Sequence, residues 1–485
     1  MATECELKLE LPSAEDAAGL GDLLGLQAPA LNTLHATYFD TPDFVLAKQG
    51  CSLRIRKEGR RRIQTVKTDA APASGLLTRT EWEQPARGQT PCLDGDNPVR
   101  RLLGTHIADL APRFEVEVAR RTWQIDTGGG GAIELALDIG EARAGGAVGR
   151  FCEIELELRN GGMEQLFLLG RRIGGLVPAR LGVLTKSQRA RRLLRAPGKV
   201  DKATAIALTP DMRAGDAFRR IVHACLVHYR LNEARLLVAD DAEAVHQARV
   251  AIRRLRSAFV AFRDVARGKR MRGFNQELRW LAGRLGAARD IDVLFDRISD
   301  KGARARLAAA RAETYAMMRR AIASDLARGL MFDIAEWLSI GKWTQAKGRA
   351  KHRDTPVAAH AARALDRLHK RLIEEGGAID GPDDECRHEA RKTAKKLRYT
   401  VEFFARLYQG KRRKARRRYL AGLEELQDHL GALNDMAMMP EMLQRLHIAS
   451  DRGGVLAGQG GQADLHRLQA GDAIAAIRTA DRFWA

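Results

Sequence analysis

Cysteine is scarce and scattered: the residues at 5, 51, 92, 152, 225 and 386 form no CxxC pair. Neither a zinc site nor a disulfide framework is suggested, which fits a reducing cytoplasm as the expected setting. No apolar run approaches the ~20 residues that a transmembrane helix needs. Glu4, Glu6 and Lys8 fall within the first strand-like segment and leave no secretory apolar region. The expectation is a soluble, internal protein with no membrane partner. Only six Trp and six Tyr occur in 485 residues, which disfavours base stacking. No GxxxxGK[ST] loop is present, and Gly128 to Gly131 reads as a hairpin turn rather than a phosphate loop. No Ser or Cys stands in a recognisable nucleophile setting, so a phosphoenzyme is not expected.

Charge is abundant and uneven. The net charge is +21, yet residues 1–200 hold 28 basic and 25 acidic residues, leaving 54 basic and 36 acidic beyond. That excess attracts polyanions in general, whether nucleic acid, anionic membrane or polyphosphate.

A chain of this length exceeds one ordinary core, and its halves differ in pattern. Residues 1–195 alternate with period two, the mark of strands with two distinct faces. Glu4, Glu6, Lys8 and Glu10 share one face; Cys5, Leu7, Leu9 and Leu11 share the other. The alternation returns at Leu53-Arg54-Ile55-Arg56, at Arg79/Glu81/Glu83, at Glu115/Glu117, at Glu134/Ala136/Asp138 and at Glu153/Glu155/Glu157. Residues 196–211 read as a linker. Residues 212–485 read as helical, rich in Ala, Leu and Arg and without Pro until Pro356.

A charged strand face is ordinarily the solvated side of an antiparallel sheet. Here such faces recur on several strands, and Glu-rich strands stand apart from the basic ones carrying Arg54, Arg56 and Lys67. A closed sheet that turns these faces inward accounts for the sorting, provided the charges are paired or bind ions. Guanidinium forks suit phosphate oxygens, and clustered carboxylates are hard ligands for Mg²⁺ or Mn²⁺. Together they describe metal-assisted phosphoanhydride hydrolysis.

Glu4-x-Glu6-x-Lys8 resembles the ExExK signature of the CYTH family of triphosphate tunnel metalloenzymes. Its companions follow in order: Tyr38-Phe39-Asp40-Thr41-Pro42, Leu53-Arg54-Ile55-Arg56, Thr65-Val66-Lys67, Ile133-Glu134-Leu135-Ala136-Leu137-Asp138, Glu153-Ile154-Glu155 and Lys186-Ser187-Gln188-Arg189. The resemblance implies an eight-stranded antiparallel β-barrel tunnel with flanking helices. It implies that Lys8, Arg54, Arg56, Lys67, Arg120 and Lys186 grip phosphates. Glu4, Glu6, Asp138, Glu153 and Glu155 would hold metal, with Glu157 able to replace either of the last two. Glu4, Glu6, Lys8 and Glu155 would be catalytic, Glu4 or Glu155 or a second metal activating water. Two positions depart from the family: Thr122 stands where a second basic residue is common, so that one contact is missing or supplied by Arg121, and Ala190 replaces a common Gly.

The helical half repeats itself. His246-Gln-Ala-Arg-Val-Ala-Ile-Arg-Arg-Leu-Arg256 returns as His388-Glu-Ala-Arg-Lys-Thr-Ala-Lys-Lys-Leu-Arg398. Each copy ends in a Phe, Phe262 and Phe404, and Leu285-Gly286-Ala287 before Asp290 answers Leu430-Gly431-Ala432 before Asp435. Two pseudo-symmetric helical bundles are expected, completing an α+β multi-domain chain. On a helix His246, Arg249, Arg253 and Arg256 fall within about 80° of arc, opposite Ala248, Ile252, Leu255 and Phe259. His388, Arg391, Lys395 and Arg398 repeat that placement. Surface helices ordinarily mix signs, whereas no acid lies between His246 and Phe262.

These stretches resemble the conserved-histidine α-helical domain, CHAD, over about 212–485. The resemblance implies polyphosphate binding by those eight residues in a groove, with Arg254, Arg289, Lys392 and Lys396 extending it, and association with polyphosphate granules. His360, Arg363 and Arg367, with His369 nearby, read as another solvated helix, and Lys411 to Arg418 as a second basic face. The leading reading is an inorganic triphosphatase, with triphosphate and long-chain polyphosphate as partners. A nucleoside or thiamine triphosphatase or an adenylate cyclase would need an apolar nest beside the tunnel, and none is identified. A non-enzymatic polyphosphate scaffold is disfavoured by the intact charged set, and nucleic acid by the lack of interleaved aromatics.

Overall fold

The computed structural model describes residues 2–72, 76–94, 97–196, 198–298, 300–377, 379, 384–445 and 459–485. The chain divides into two compact units: Met1–Lys199 with Asp325–Gly341, and Val200–Ser324 with Lys342–Ala485.

In the first unit the period-two segments form β1 Ala2–Leu11, β2 Ala30–Asp40, β3 Cys51–Glu58, β4 Arg61–Pro72, β5 Leu76–Pro85, β6 Ala111–Gly128, β7 Gly131–Ala144 and β8 Ala147–Asn160. A two-residue β9, Arg180–Leu181, adds to the edge of β1. The order β5-β4-β3-β2-β6-β7-β8-β1, with β1 also paired to β5, closes an antiparallel eight-stranded barrel. Gly128, Gly129 and Gly130 all have positive φ and link β6 to β7, so the glycine run is a hairpin connection, as its composition suggested.

The apolar members of each alternation face outward and are covered. Leu7, Leu9, Leu135, Leu137, Ile154 and Leu156 pack under the helix Met163–Leu176 through Leu166, Phe167 and Ile173. Phe332 and Ala335, on the helix Asp325–Ile340, join this core, the Phe332 ring meeting Phe167 edge to face at 5.7 Å. That helix lies in sequence between two segments of the other unit, yet it belongs to the barrel. Arg171 holds it with a 2.7 Å ion pair to Asp333 and a bond to Glu336. Leu53, Ile55 and Val66 pack separately against Leu46, Val99 and Leu103. Each such large side chain contributes about 1.5–3 kcal/mol when fully buried.

In the second unit, helices Ala214–Leu236, Ala242–Ala261, Lys269–Arg297 and Lys301–Ala323 pack each on the next. Val357–Gly376, Asp384–Phe403, Arg412–Arg445 and Gln459–Thr479 do the same, and the two sets meet through Ala242–Ala261 and Asp384–Phe403. Phe262 and Phe404, which close the two repeat copies, meet at 5.8 Å with both rings buried. The His360 ring stacks on Phe262 at 4.4 Å and is 3% exposed. This corrects the expectation of a solvated helix. Val357, Ala361, Ala364, Leu365 and Leu368 are buried alongside it, and burial pushes the His360 imidazole down to about 4. Among the described residues no helix is long and apolar enough to cross a membrane.

Candidate active site

Antiparallel register decides which side chains share the lumen. Lys8 stands opposite Glu155 and Glu6 opposite Glu157 on β8, while Asp138 on β7 stands opposite both Glu153 and Arg120. On the other side Arg54 pairs with Tyr38 and Thr65, and Lys67 with Glu81. All these positions have one parity, so all face inward. Of this parity, Glu4, Glu6, Lys8, Arg54, Arg56, Lys67, Arg120 and Glu155, together with Lys186, line a cavity of about 400 Å³.

Three carboxylates converge on one wall. Asp138, Glu153 and Glu155 offer oxygens that all lie within 4.8 Å of one another. The Lys186 ammonium sits among them, 2.7 Å from Asp138 Oδ2, 2.6 Å from Glu153 Oε1 and 2.7 Å from Glu155 Oε1. Its position is set locally. Thr185 caps the helix Lys186–Arg192, accepting from Gln188 N, while the Gln188 side chain accepts from Thr185 N. Gly182 donates to Lys8 O, and a Cβ there would come within 2.9 Å of Lys8 Cβ, so only glycine lets the segment approach. Arg120 completes the group, forking onto Asp138 at 2.7 and 2.6 Å and reaching Glu155 Oε2 at 2.6 Å. Lys8 donates to Glu155 and lies 3.6 Å from Glu153.

As it stands the cluster balances: Asp138, Glu153 and Glu155 against Lys8, Arg120 and Lys186. Burial alone would push Glu153 up, but Lys186 and Lys8 outweigh it and hold its carboxyl at about 2. Burial opposes ionisation of Glu155 too, and Lys186, Lys8 and Arg120 hold it well below the carboxylate range. Lys186 is raised despite burial, by Asp138, Glu153 and Glu155. Glu153 and Glu155 are therefore ionised oxygen donors, the form a hard divalent cation takes. The donor set fits such an ion.

The facing wall is cationic. In the closed ring order β3 lies four strands from β8 in either direction, so Arg54 and Arg56 stand across the lumen from Glu153 and Glu155. Arg54 forms no ion pair among the described residues; its Nη1 lies 3.5 Å from Tyr38 Oη. Arg56 has Glu58 at 2.7 Å, yet burial and then Arg54 push its guanidinium down. Two neighbouring cations in this position favour an anion between or beside them. Lys67 holds Glu4 at 2.6 Å and Glu81 at 3.3 Å. Glu6 takes Arg79 at 3.4 Å and Lys8 at 3.5 Å. Glu4 and Glu6 thus lie outside the three-carboxylate set. Glu157 also stands apart, bonded to Arg159; burial and Glu4 push its carboxyl up to about 7.

Part of the barrel interior is apolar. Leu34, Ala36, Tyr38, Phe114, Val116, Val118 and Phe151 share the inward parity and pack against Ala190 of the helix Lys186–Arg192. Ala190 is fully buried there. Tyr38 stacks on Phe114 at 5.0 Å, and Arg189 lies over Phe151 at 5.2 Å. These rings border the lumen but are 5–8% exposed, each used by its neighbours.

The two departures in sequence resolve. Thr122 lines the lumen, whereas Arg121 has the parity of the buried Trp123 and is exposed outside, so it supplies no contact within. Arg79 and Arg189 were missed as members of the charged network. Arg189 binds Glu10 at 2.6 Å and Glu153 at 3.4 Å. The signal for Arg79 was its parity with Glu81 and Glu83; for Arg189, its place one helical turn after Lys186.

In the helical unit all eight repeat residues, His246, Arg249, Arg253, Arg256, His388, Arg391, Lys395 and Arg398, are half-buried on the two helices that meet. Arg249 is answered by Asp290 Oδ1 at 3.0 Å and Gly286 O at 3.2 Å, and a Cβ on Gly286 would come within 3.4 Å of that guanidinium. Arg256 donates to Asn275 at 2.9 Å. The Arg253, Arg391 and Lys395 side chains form no hydrogen bond or ion pair among the described residues. Burial, then Arg253, Arg391, Arg249 and Arg398, pull the Lys395 ammonium down to about 6, which places those cations around it from both helices. Arg254 does not extend this face. It is 6% exposed, bound to Glu402, and lies 5.0 Å over the Phe403 ring.

Comparison with known proteins agrees with this division. A family model described as CYTH domain matches residues 2–181, and one described as CHAD domain matches residues 220–444. An inorganic triphosphatase of Haemophilus influenzae is 36% identical over 135 residues, which is 27% of this chain and 37% of that protein. An uncharacterized protein of Mycobacterium tuberculosis is 28% identical over 420 residues, covering 79% of this chain and 78% of that one. Among solved structures, the CHAD domain from the plant Ricinus communis has 29% identity and a TM-score of 0.46, covering 59% of this chain and 94% of that one. The chain is a CYTH domain followed by a CHAD domain.

Proposed function

We propose that the barrel hydrolyses inorganic triphosphate, or a similarly short polyphosphate, with Mg²⁺ or Mn²⁺, and that the helical unit binds longer polyphosphate along its two repeat helices. One observation carries the first part: the ionised carboxylates Glu153 and Glu155 on β8 stand across a lumen of about 400 Å³ from Arg54 on β3, whose guanidinium has no ion pair among the described residues. That separation suits a substrate that is anionic along its whole length and has no apolar end.

In this reading Asp138, Glu153 and Glu155 hold the metal, which when bound supplies charge neutralisation on the phosphate oxygens and a lowered pKa for water. Arg54 and Arg56 bind the phosphate chain and fix its direction. Lys8 and Lys186 leave their carboxylates for phosphate oxygens and neutralise the charge that develops there. Glu4 and Glu6, held by Lys67 and Arg79, orient those cations and accept a proton from attacking water. A nucleotide or thiamine ring would need an open apolar surface, whereas Tyr38 and Phe114 stack on each other and Phe151 lies under Arg189.

The test is phosphate release from triphosphate, pyrophosphate, ATP and long polyphosphate with Mg²⁺ or Mn²⁺, by the full chain and by Glu6→Ala. Triphosphate is expected to be the best substrate and Glu6→Ala to lose most activity. Preference for ATP, or equal activity in the variant, would overturn the reading.

A further inference from the structure

The basic run 411–418 belongs neither to the barrel lumen nor to the repeat-helix face. It holds Lys411, Arg412, Arg413, Lys414, Arg416, Arg417 and Arg418, and no carboxylate follows until Glu424. It opens the helix Arg412–Arg445, whose first turn has no acid. A helix N-terminus carries partial positive charge, so cations there are disfavoured. Among the described residues, folding explains one of them: Arg416 donates to Ala405 O and, at 3.2 Å, to Tyr408 O, closing the chain after the preceding helix. Burial, then Arg413 and Arg417, push the Arg416 guanidinium down, a sign of like charges held close.

Three of the run, Arg413, Arg416 and Arg417, line a cavity of about 330 Å³ together with Arg406, Ile206 and Glu402. Arg406, Arg413 and Arg417 form no side-chain hydrogen bond or ion pair among the described residues. The one carboxylate present is engaged elsewhere. Glu402 binds Arg254, and its Oε1 lies 3.7 Å from Arg398 Nε. Arg398 is also the last basic residue of the repeat face. The cavity therefore opens one helical turn beyond Arg398, at Glu402, and Arg406 lies in the turn that follows the end of that helix at Phe403.

We propose that Arg406, Arg413 and Arg417 form a second anion site that receives the continuation of a phosphate chain leaving the repeat-helix groove at Arg398. This rests on the polyphosphate reading of that groove. The site takes a bare phosphate chain rather than nucleic acid. Tyr408 and Tyr419, the nearest rings in sequence, are 3% and 2% exposed and pack on Phe483, so no platform for a base is offered. Its function is to lengthen the track: short chains fill the groove alone, and long chains engage both.

The experiment measures binding of short and long polyphosphates of defined length to the full chain, over a range of salt. The triple variant Arg406→Gln, Arg413→Gln, Arg417→Gln is compared with the groove variant Arg253→Gln, Lys395→Gln. The triple variant is expected to lose about tenfold or more in affinity for long chains, with a salt slope shallower by about two, and to bind short chains as before. Unchanged long-chain affinity, equal loss for short and long chains, or displacement of long polyphosphate by single-stranded RNA through these arginines would overturn the proposal. The groove reading is tested separately. If the groove variant keeps its short-chain affinity, that reading has failed, whatever the arginine variant does.

Discussion

Lys186 Nζ lies 2.6 Å from Glu153 Oε1, inside the three-carboxylate set where the donor geometry suits a divalent ion. The ammonium occupies the space among the three carboxylates, and with Lys8 and Arg120 it balances their formal charge. Lys186→Met is expected to tighten Mn²⁺ binding without phosphate by roughly tenfold or more, since it leaves three carboxylates against two cations. Free Mn²⁺ measured by electron paramagnetic resonance reads this directly. Unaltered or weaker Mn²⁺ affinity would show that the lysine does not compete.

Arg120 is the fork that holds Asp138, which is fully buried. Arg120→Ala leaves that charge with Lys186 alone and removes two charge-assisted hydrogen bonds, so it is expected to destabilise the barrel by about 1–3 kcal/mol. Arg120→Lys recovers only part, because an ammonium cannot span two oxygens. Denaturant midpoints of the variants decide the matter.

Arg121 sits one residue away and faces out. Arg121→Ala should leave stability within about 0.5 kcal/mol and triphosphate turnover near that of the parent. A large fall in turnover would put its side chain in the lumen after all.

Lys395 sets a pH dependence in the helical unit. In an unfolded chain its ammonium keeps the proton to about pH 10.4, whereas folding pulls it down to about 6. Between those values the unfolded state binds the extra proton, so this contribution to stability rises with pH across the window and is lost as pH falls through about 6. Lys395→Met is expected to flatten the slope of melting temperature against pH there. A polyanion restores the charge, so wild type should take up a proton on binding polyphosphate at about pH 8, and the variant should not. Calorimetry in buffers of different ionisation enthalpy measures the uptake.

Much of this was readable from spacing. Period two put Glu4, Glu6 and Lys8 on one face of their strand, and likewise Arg54 with Arg56 and Glu153 with Glu155, because strand parity is fixed by the backbone. That these faces share a lumen followed from closing the sheet. The duplicated helix likewise revealed its basic face and its closing phenylalanines. What spacing could not supply was the partner of a face. The helix Asp325–Ile340 has an apolar stripe that any core could accept, and it lies on the barrel. Arg254 and His360 carry polar groups that read as surface, yet Glu402 and the Phe403 ring draw one inward and the Phe262 ring takes the other. Nor does sequence show that Lys186 reaches three acids at once, since that depends on how a capped helix enters a closed sheet.

Glu155 touches Lys8, Arg120 and Lys186 and belongs to the carboxylate set, so it joins both parts of the site. The most direct measurement is therefore phosphate release from triphosphate by Glu155→Gln at saturating Mn²⁺. A loss of about a hundredfold or more is expected. Turnover equal to the parent would contradict a catalytic lumen.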